Sequence, residues 1–366
     1  MRKEKTIIIL PKVDTSMQHA TRASLSGHLQ IMRADHWVKN VFVLPGIVVA
    51  LTFDGSPLTV ALGLNIVVGL MCICFVVSSN YVLNEVLDAP FDLSHPIKCR
   101  RPVPSGRVSV RLAYVQWIAL AIVGIFLGMK ISVPFALTLF VLWLMGCVYN
   151  IPPFRSKDVP YVDVLSEAVN NPLRMLAGWF IVGPNGPPPI SLLLSYWMIG
   201  CYFMAIKRYA ELRHIGDPEK AAAYRKSFAF YTEEYLLIST MFYGSAAMLF
   251  LGAFIMRYRI ELILAFPLVA LVMAVYLALA FKDDSAVQAP EKLHREPVLM
   301  AAVLASTVVI GTFLFVDVPM MNRFFAPTPR RLLGHLRAND CNDGLRCGLH
   351  HQARRTFFGG DVANVG

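Results

Sequence analysis

The chain has 366 residues, of which 56% are hydrophobic and only 16% charged, and its mean hydropathy is positive at +0.55. Ordinary soluble domains carry about 25% charged residues, so the composition excludes a typical soluble enzyme and points to a chain that crosses a membrane several times. The formal net charge of +10 would suggest a nucleic-acid partner in a soluble protein, but here the cations collect on loops between apolar runs and no nucleic-acid role follows.

Residues 1–30 are polar and mixed, and are expected to form a mobile cytoplasmic arm. A basic and aromatic border then precedes the first apolar run: Arg33, His36, Trp37, Lys39 and Asn40. Tryptophan and lysine at such a border commonly anchor a helix at the headgroup level. Apolar runs predict nine membrane helices near 38–53, 58–83, 112–129, 132–150, 161–182, 191–206, 235–256, 259–281 and 297–317, most of them long enough to cross a hydrocarbon core of roughly 30 Å. The fifth is unusual, because it carries Asp163, Glu167, Asn170, Asn171 and Arg174. Polar side chains at membrane depth must face an interior cavity. The loops on one side of this arrangement hold 23 Lys and Arg against 3 on the other. That asymmetry predicts a cytoplasmic N-terminus and cytoplasmic motif loops. Residues 322–366 lack apolar periodicity and are rich in arginine, so a basic, disordered tail is expected there. The seven cysteines are odd in number and contain no CxxC, so neither a disulfide framework nor a zinc ribbon is indicated.

The chemistry gathers where the second span ends. Asn84, Asp88 and Asp92 lie four residues apart, a spacing that puts them on one helical face. Pro90 interrupts the set and predicts a kink or an end to the helix near Ala89, with Asp92 carried onto the loop. Lys98, Arg101 and Gly106 follow. Carboxylates beside apolar sequence are costly unless a cation meets them, and acids followed by bases suggest a magnesium diphosphate site. A second set repeats the pattern: Arg155 and Lys157 after Pro152 and Pro153, then Asp163 and Glu167 at i and i+4, with Arg174 further along the same face. A third loop interleaves cations with tyrosines from Lys207, Arg208, Tyr209 and Arg213 to Arg225, Lys226 and Tyr231.

The run from Asn84 to Gly106, together with Asp163 to Arg174, resembles the two acidic motifs of the UbiA family of intramembrane prenyltransferases. Glu85 and Glu167 stand where that family usually has Asp. The W-V-K-N at 37–40, K-R-Y-A-E-L at 207–212 and the stretch from Arg225 to Leu236 are similar to a branch containing decaprenyl-phosphate phosphoribosyltransferases and nodulation proteins linked to arabinosylation. The resemblance implies an all-α polytopic fold of about nine helices around a central cavity, spanning residues 31–317, in a bacterial inner membrane. It implies a magnesium-dependent transfer of 5-phosphoribose from phosphoribosyl diphosphate to a polyprenyl phosphate, which would supply a lipid-linked precursor of D-arabinose. Asn84, Asp88, Asp92, Asp163 and Glu167 would then hold the metal, the four acids acting catalytically. Lys39, Lys98, Arg101, Arg155, Lys157, Arg174, Lys207, Arg208, Tyr209, Arg213, Arg225, Lys226 and Tyr231 would bind substrate. Two other readings stay open: prenyl transfer to an aromatic acceptor, and transport of an anionic lipid or metabolite. A transporter would ordinarily show an internal repeat, and none is evident.

Overall fold

A computed structural model of the protein describes residues 23–325 except 55–56, 94–97, 185, 283–284 and 289. The chain divides into two units, 1–317 and 318–366. In the second, the described part is one short helix, α13 (Pro319–Phe324). The predicted tail, 322–366, lies almost wholly outside the described residues.

The first unit is helical throughout its described residues. Helix α1 (Leu25–Gln30) leads through a 3-10 segment (Ala34–Val43) into α2 (Leu44–Asp54), and α3 (Val60–Asp92), α4 (Val110–Gly128) and α5 (Val133–Asn150) follow. The short α6 (Val162–Ala168) and α7 (Asn170–Val182) come next, then α8 (Ile190–Ile215), α9 (Pro218–Tyr224), α10 (Glu233–Tyr258), α11 (Phe266–Ala280) and α12 (Pro297–Phe315). Eight helices among the described residues are long and apolar enough to cross a membrane. The predicted fifth span corresponds to α6 and α7, which meet at Val169. The backbone there stays right-handed and the ladder runs on, with Val169 N–H reaching Leu165 O at 3.1 Å and Leu173 N–H reaching Val169 O at 3.2 Å.

Local signals explain several ends. Thr59, Ser132 and Thr232 each accept a backbone N–H at the start of α3, α5 and α10, as N-caps do. Gly183 and Gly216 close α7 and α8 in the left-handed conformation. Pro90 corrects one expectation: α3 does not stop at Ala89 but runs to Asp92, and Leu93 N–H still reaches Ala89 O at 3.2 Å. The proline gives up its own bond to the preceding turn, and the residues after it still carry N–H groups with which the ladder resumes.

The predicted arm at 1–30 is also corrected at its end. Residues 25–30 are helical and tied down: His28 Nδ1 lies 3.0 Å from Gln116 Oε1, Ser109 N–H donates to His28 Nε2 at 3.3 Å, and Gln116 donates to His28 O at 2.8 Å. No apolar run announces this helix, because polar contacts to α4 fix it. Residues 1–22 lie outside the described residues.

Two cores hold the unit. Val43, Ile47, Ile73, Val77, Phe135, Leu139 and Ile181 pack α2, α3, α5 and α7 together. Tyr202, Ile206, Leu236, Tyr243 and Met273 join α8, α10 and α11, with Val164 and Ala168 of α6 built into the same cluster. Outward faces carry Leu64, Val67, Val115, Ile122, Leu137, Met241, Leu249 and Leu304, all well exposed, as a surface bathed in acyl chains requires. The 3-10 segment and α2 meet α7 backbone to backbone. A Cβ at Gly46 would stand 1.9 Å from Met175 O, and one at Gly178 would stand 2.2 Å from Val43 O.

Candidate active site

The last turns of α3 and the loops after α4's predecessor, α5 and α8 converge on one end of the bundle. On α3, Asp88 Oδ1 accepts from Lys157 Nζ at 2.5 Å and from Arg155 at 3.1 Å. Lys157 also donates to Asn150 Oδ1 at 2.8 Å and approaches Asn84 Oδ1 at 3.4 Å. One turn on, Asp92 Oδ2 takes Arg101 at 2.7 Å. Burial pushes the Lys157 ammonium below the usual lysine range, against the pull of Asp88. Burial lowers Lys98 likewise, with Asp92 opposing, and its ammonium rests 4.4 Å from the centre of the Tyr224 ring.

The second acidic set is tighter. Arg208 on α8 donates to Asp163 Oδ2 at 3.2 Å, to Glu167 Oε2 at 2.7 Å and to Glu211 Oε2 at 2.9 Å. Asp163 is fully buried. It further accepts Tyr231 O–H at 2.6 Å and Ser227 O–H at 3.3 Å, while Arg225 Nη1 stands 3.6 Å away. Tyr149 O–H donates to the Glu167 oxygen that Arg208 also holds, at 2.9 Å. Burial, and then the neighbouring Asp163, push the Tyr231 phenol well above its ordinary range, so it donates as a neutral hydroxyl. Lys226 closes the rim against Asp158 at 3.4 Å, and Lys207 stands 3.9 Å from Glu211.

Most predicted site residues therefore meet, but in pairs of acid and base. Among the described residues, no three His, Cys, Asp or Glu side chains form a group that could hold a metal ion. The donor chemistry nevertheless fits a hard cation at two of the acids. Asp88 and Glu167 are 22% and 33% exposed, and their hydrogen bonds run through a single carboxylate oxygen each. Asp163 has both oxygens committed and Asp92 is only 7% exposed.

Some predicted residues sit elsewhere. Tyr209 is buried in the core of α8 to α11 with its ring against Phe281, and Arg213 donates to its hydroxyl at 2.9 Å. One residue along a helix turns the side chain by about 100°, so Tyr209 and Arg213 share a face that Arg208 and Glu211 do not. Lys39 and Arg174 lie at the 3-10 segment and α7, where Arg174 donates to Asn40 Oδ1 at 3.2 Å. Reading the sequence for acids and bases also misses partners. Glu85 is buried and accepts Val103 N–H at 3.1 Å, pinning the loop that carries Arg101. Asn150 holds Lys157, and Glu211 shares Arg208. Asn150 had a signal, a lone amide at the end of an apolar run just before two prolines.

Buried carboxylates, arginines and lysines gather at one end of a lipid-facing helical bundle, an arrangement that marks a candidate functional site at membrane depth. A family model described as the UbiA prenyltransferase family matches residues 40–304, and the chain belongs to that family as an integral, multi-pass membrane protein. It is 28% identical over 237 residues to the decaprenyl-phosphate phosphoribosyltransferase of Corynebacterium glutamicum, a match covering 61% of this chain and 65% of that protein, slightly under two thirds of its length. Against the protein of the same name from Mycobacterium tuberculosis the identity is 30% over 214 residues, covering 58% of this chain and 68% of the relative. The fold matches the solved structure of a UbiA homologue from Archaeoglobus fulgidus bound to DMAPP and Mg2+, with a TM-score of 0.61 at 21% identity, over 79% of this chain and 100% of that one.

Proposed function

We propose that the protein transfers 5-phosphoribose from phosphoribosyl diphosphate to a polyprenyl phosphate, working at the cytoplasmic face of a bacterial inner membrane. The observation that carries this reading is Arg225. Among the described residues its buried Nη1 has no hydrogen-bond partner, only an ion pair with Asp163 at 3.6 Å. A donor with a phosphate beyond its diphosphate gives that group an acceptor; an isoprenyl diphosphate ends there in an apolar chain. The names of the relatives from Corynebacterium glutamicum and Mycobacterium tuberculosis support the same donor.

In this reading Asn84, Asp88 and Glu167 hold magnesium, a cation that prefers oxygen ligands. The ion, when bound, neutralises the diphosphate and makes it a better leaving group. Asp92 and Asp163 orient Arg101 and Arg208 rather than binding metal directly. Lys98, Arg101, Arg155 and Lys157 offset charge on the departing diphosphate. An oxygen of the lipid phosphate bonds to C1 of the ribose while the bond from C1 to the diphosphate oxygen breaks and diphosphate leaves. The nucleophile is ionised at neutral pH, so no proton has to be removed. A lipid-linked pentose of this kind is a precursor for D-arabinose in envelope glycans or lipo-oligosaccharides.

Purified membranes given radiolabelled phosphoribosyl diphosphate, a polyprenyl phosphate and magnesium should move label into the lipid extract. Prenylation of an aromatic acid, with phosphoribosyl diphosphate neither reacting nor competing, would overturn the assignment in favour of a true prenyl donor. For the topology, cysteines introduced at 105 and 187 should label from opposite sides of the membrane; labelling from one side would contradict it.

A further inference from the structure

A second basic cluster lies apart from the paired acids. Arg174 on α7 is 9% exposed, and its hydrogen bonds go to neutral acceptors: Asn40 Oδ1 at 3.2 Å and Asn170 O at 3.5 Å. No carboxylate stands within ion-pair distance of it among the described residues. A buried guanidinium without an anion is costly, and among the described residues no acid serves as its counterion. Asn40 is itself fixed from behind, donating to Cys74 Sγ at 3.2 Å.

Lys39 precedes Asn40 on the same 3-10 segment. It is partly buried, its ammonium approaches His36 Nδ1 at 3.4 Å, and among the described residues no carboxylate pairs with it. The charges that act on it are those of Lys207, Glu167, Arg174 and Arg33. The one acid in that group, Glu167, is already engaged by Arg208 and Tyr149. Arg33 lies 5.9 Å from the Tyr81 ring centre and Asp35, 71% exposed, faces His36 at 3.4 Å, so the described cations Arg33, Lys39 and Arg174 outnumber the acids Asp35 and Glu167.

We infer that Lys39 and Arg174 form a site for a phosphomonoester, and that its occupant is the phosphate head of the lipid acceptor. The inference rests on the phosphoribosyl-transfer reading and assigns its second substrate a place. A phosphomonoester carries about 1.5 to 2 negative charges at neutral pH, matching two cations with no acid of their own. Arginine offers a planar fork and lysine a point charge, a combination that grips such a group. The lipid is favoured over the donor's 5-phosphate by what surrounds Lys39. Val38, Val41 and Phe42 on the same segment are 74%, 53% and 39% exposed, so the element that offers the cation also offers an apolar outer face to a chain lying in the bilayer. Glu167 links the two regions, reaching Arg208 on one side and acting on Lys39 on the other.

The test uses the purified full-length protein in detergent with farnesyl phosphate, farnesol and ribose 5-phosphate as binding probes, alongside initial rates with polyprenyl phosphate. Farnesyl phosphate should bind the wild type and farnesol much more weakly. Lys39→Gln and Arg174→Gln should each weaken farnesyl phosphate binding by about tenfold or more, the loss of one charge-assisted contact. The KM for polyprenyl phosphate should rise in step, with ribose 5-phosphate binding and the donor KM unchanged. Arg174→Lys, which keeps the charge but loses the fork, should fall between. Because Lys39 is partly exposed, Lys39→Gln decides the matter if the Arg174 variants do not fold. Unchanged farnesyl phosphate binding in folded Lys39→Gln, or a selective loss of ribose 5-phosphate binding, overturns the inference. Phosphoribosyl transfer with a normal lipid KM in that variant rejects the site and leaves the reaction standing. Farnesyl phosphate binding that depends on Lys39 without any phosphoribosyl transfer rejects the reaction and leaves the site standing.

Discussion

The two acidic motifs repeat a chemistry but not an environment. On α3, Asp88 is partly exposed and shares one oxygen with two loop cations. On α6, Asp163 is sealed beneath Arg208, Tyr231 and Ser227 with no exposure at all. The cost of burying a charge explains the difference in design. A sealed carboxylate must have every lone pair answered within the fold, whereas an exposed one can exchange a lysine for a metal ion or a phosphate-bound partner. Asp88, like Glu167 in the second motif at 33% exposed, is thus open to a change of partner, whereas Asp163, like Asp92 in the first, holds an arginine in place.

The largest effect that would break this contrast is at Arg208. Arg208→Ala strands Asp163 in the interior and leaves Glu167 and Glu211 without their shared partner, so thermal or denaturant unfolding in detergent should show a loss of about 3–5 kcal/mol. A variant of normal stability would mean that the second motif is as open as the first. Next comes Asp88→Asn, expected to fold normally yet lose at least about a hundredfold in turnover, as when one member of a preorganised electrostatic site is removed. Turnover near wild type would remove Asp88 from the chemistry. Asp92→Asn is expected to be milder, about tenfold, because it frees Arg101 without touching the metal ligands. A loss as large as that of Asp88→Asn would put Asp92 on the metal after all.

The smallest effect is a pH shift. Because burial lowers the Lys157 pKa, its ammonium loses its proton at a lower pH than an ordinary lysine, and its pair with Asp88 weakens as pH rises through that value. Stability runs the opposite way: the folded state sheds this proton before the unfolded state does, so burying the charge costs most at low pH and the penalty lifts as pH rises toward the ordinary lysine value. As the pair with Asp88 weakens, activity should decline on the alkaline side, and Lys157→Arg, which stays protonated, should move that decline to higher pH. An unmoved alkaline limb would assign it to another group.

How legible this was in the sequence follows the same divide. Apolar runs placed the long helices, because a bilayer-crossing helix must satisfy its backbone within itself, but α3 and α8 run on past the predicted ends at 83 and 206 to Asp92 and Ile215, where the sequence has turned polar. Spacing placed Asp88 with Asp92 and Asp163 with Glu167, since helical periodicity is local. What pairing required was distance along the chain. Nothing near Lys157 announces that it will meet Asp88, which lies 69 residues away, and nothing near Tyr209 announces that its side of α8 turns toward Phe281. Pro90 misled because a proline costs a bond to the turn before it without stopping the residues after it from continuing the helix. Helix α1 was invisible because its anchors are polar groups on α4, which no apolar pattern records.

The glycine contacts between α2 and α7 bear on traffic through the membrane. With Gly46 against Met175 O and Gly178 against Val43 O, the two backbones leave no width between them for an isoprenoid chain. On the phosphoribosyl-transfer reading, a polyprenyl tail whose head reaches Lys39 would leave along the outer side of the 3-10 segment, over Val38, Val41 and Phe42, rather than through that seam. Alanine at Gly46 would force the two backbones apart at Met175, next to Arg174.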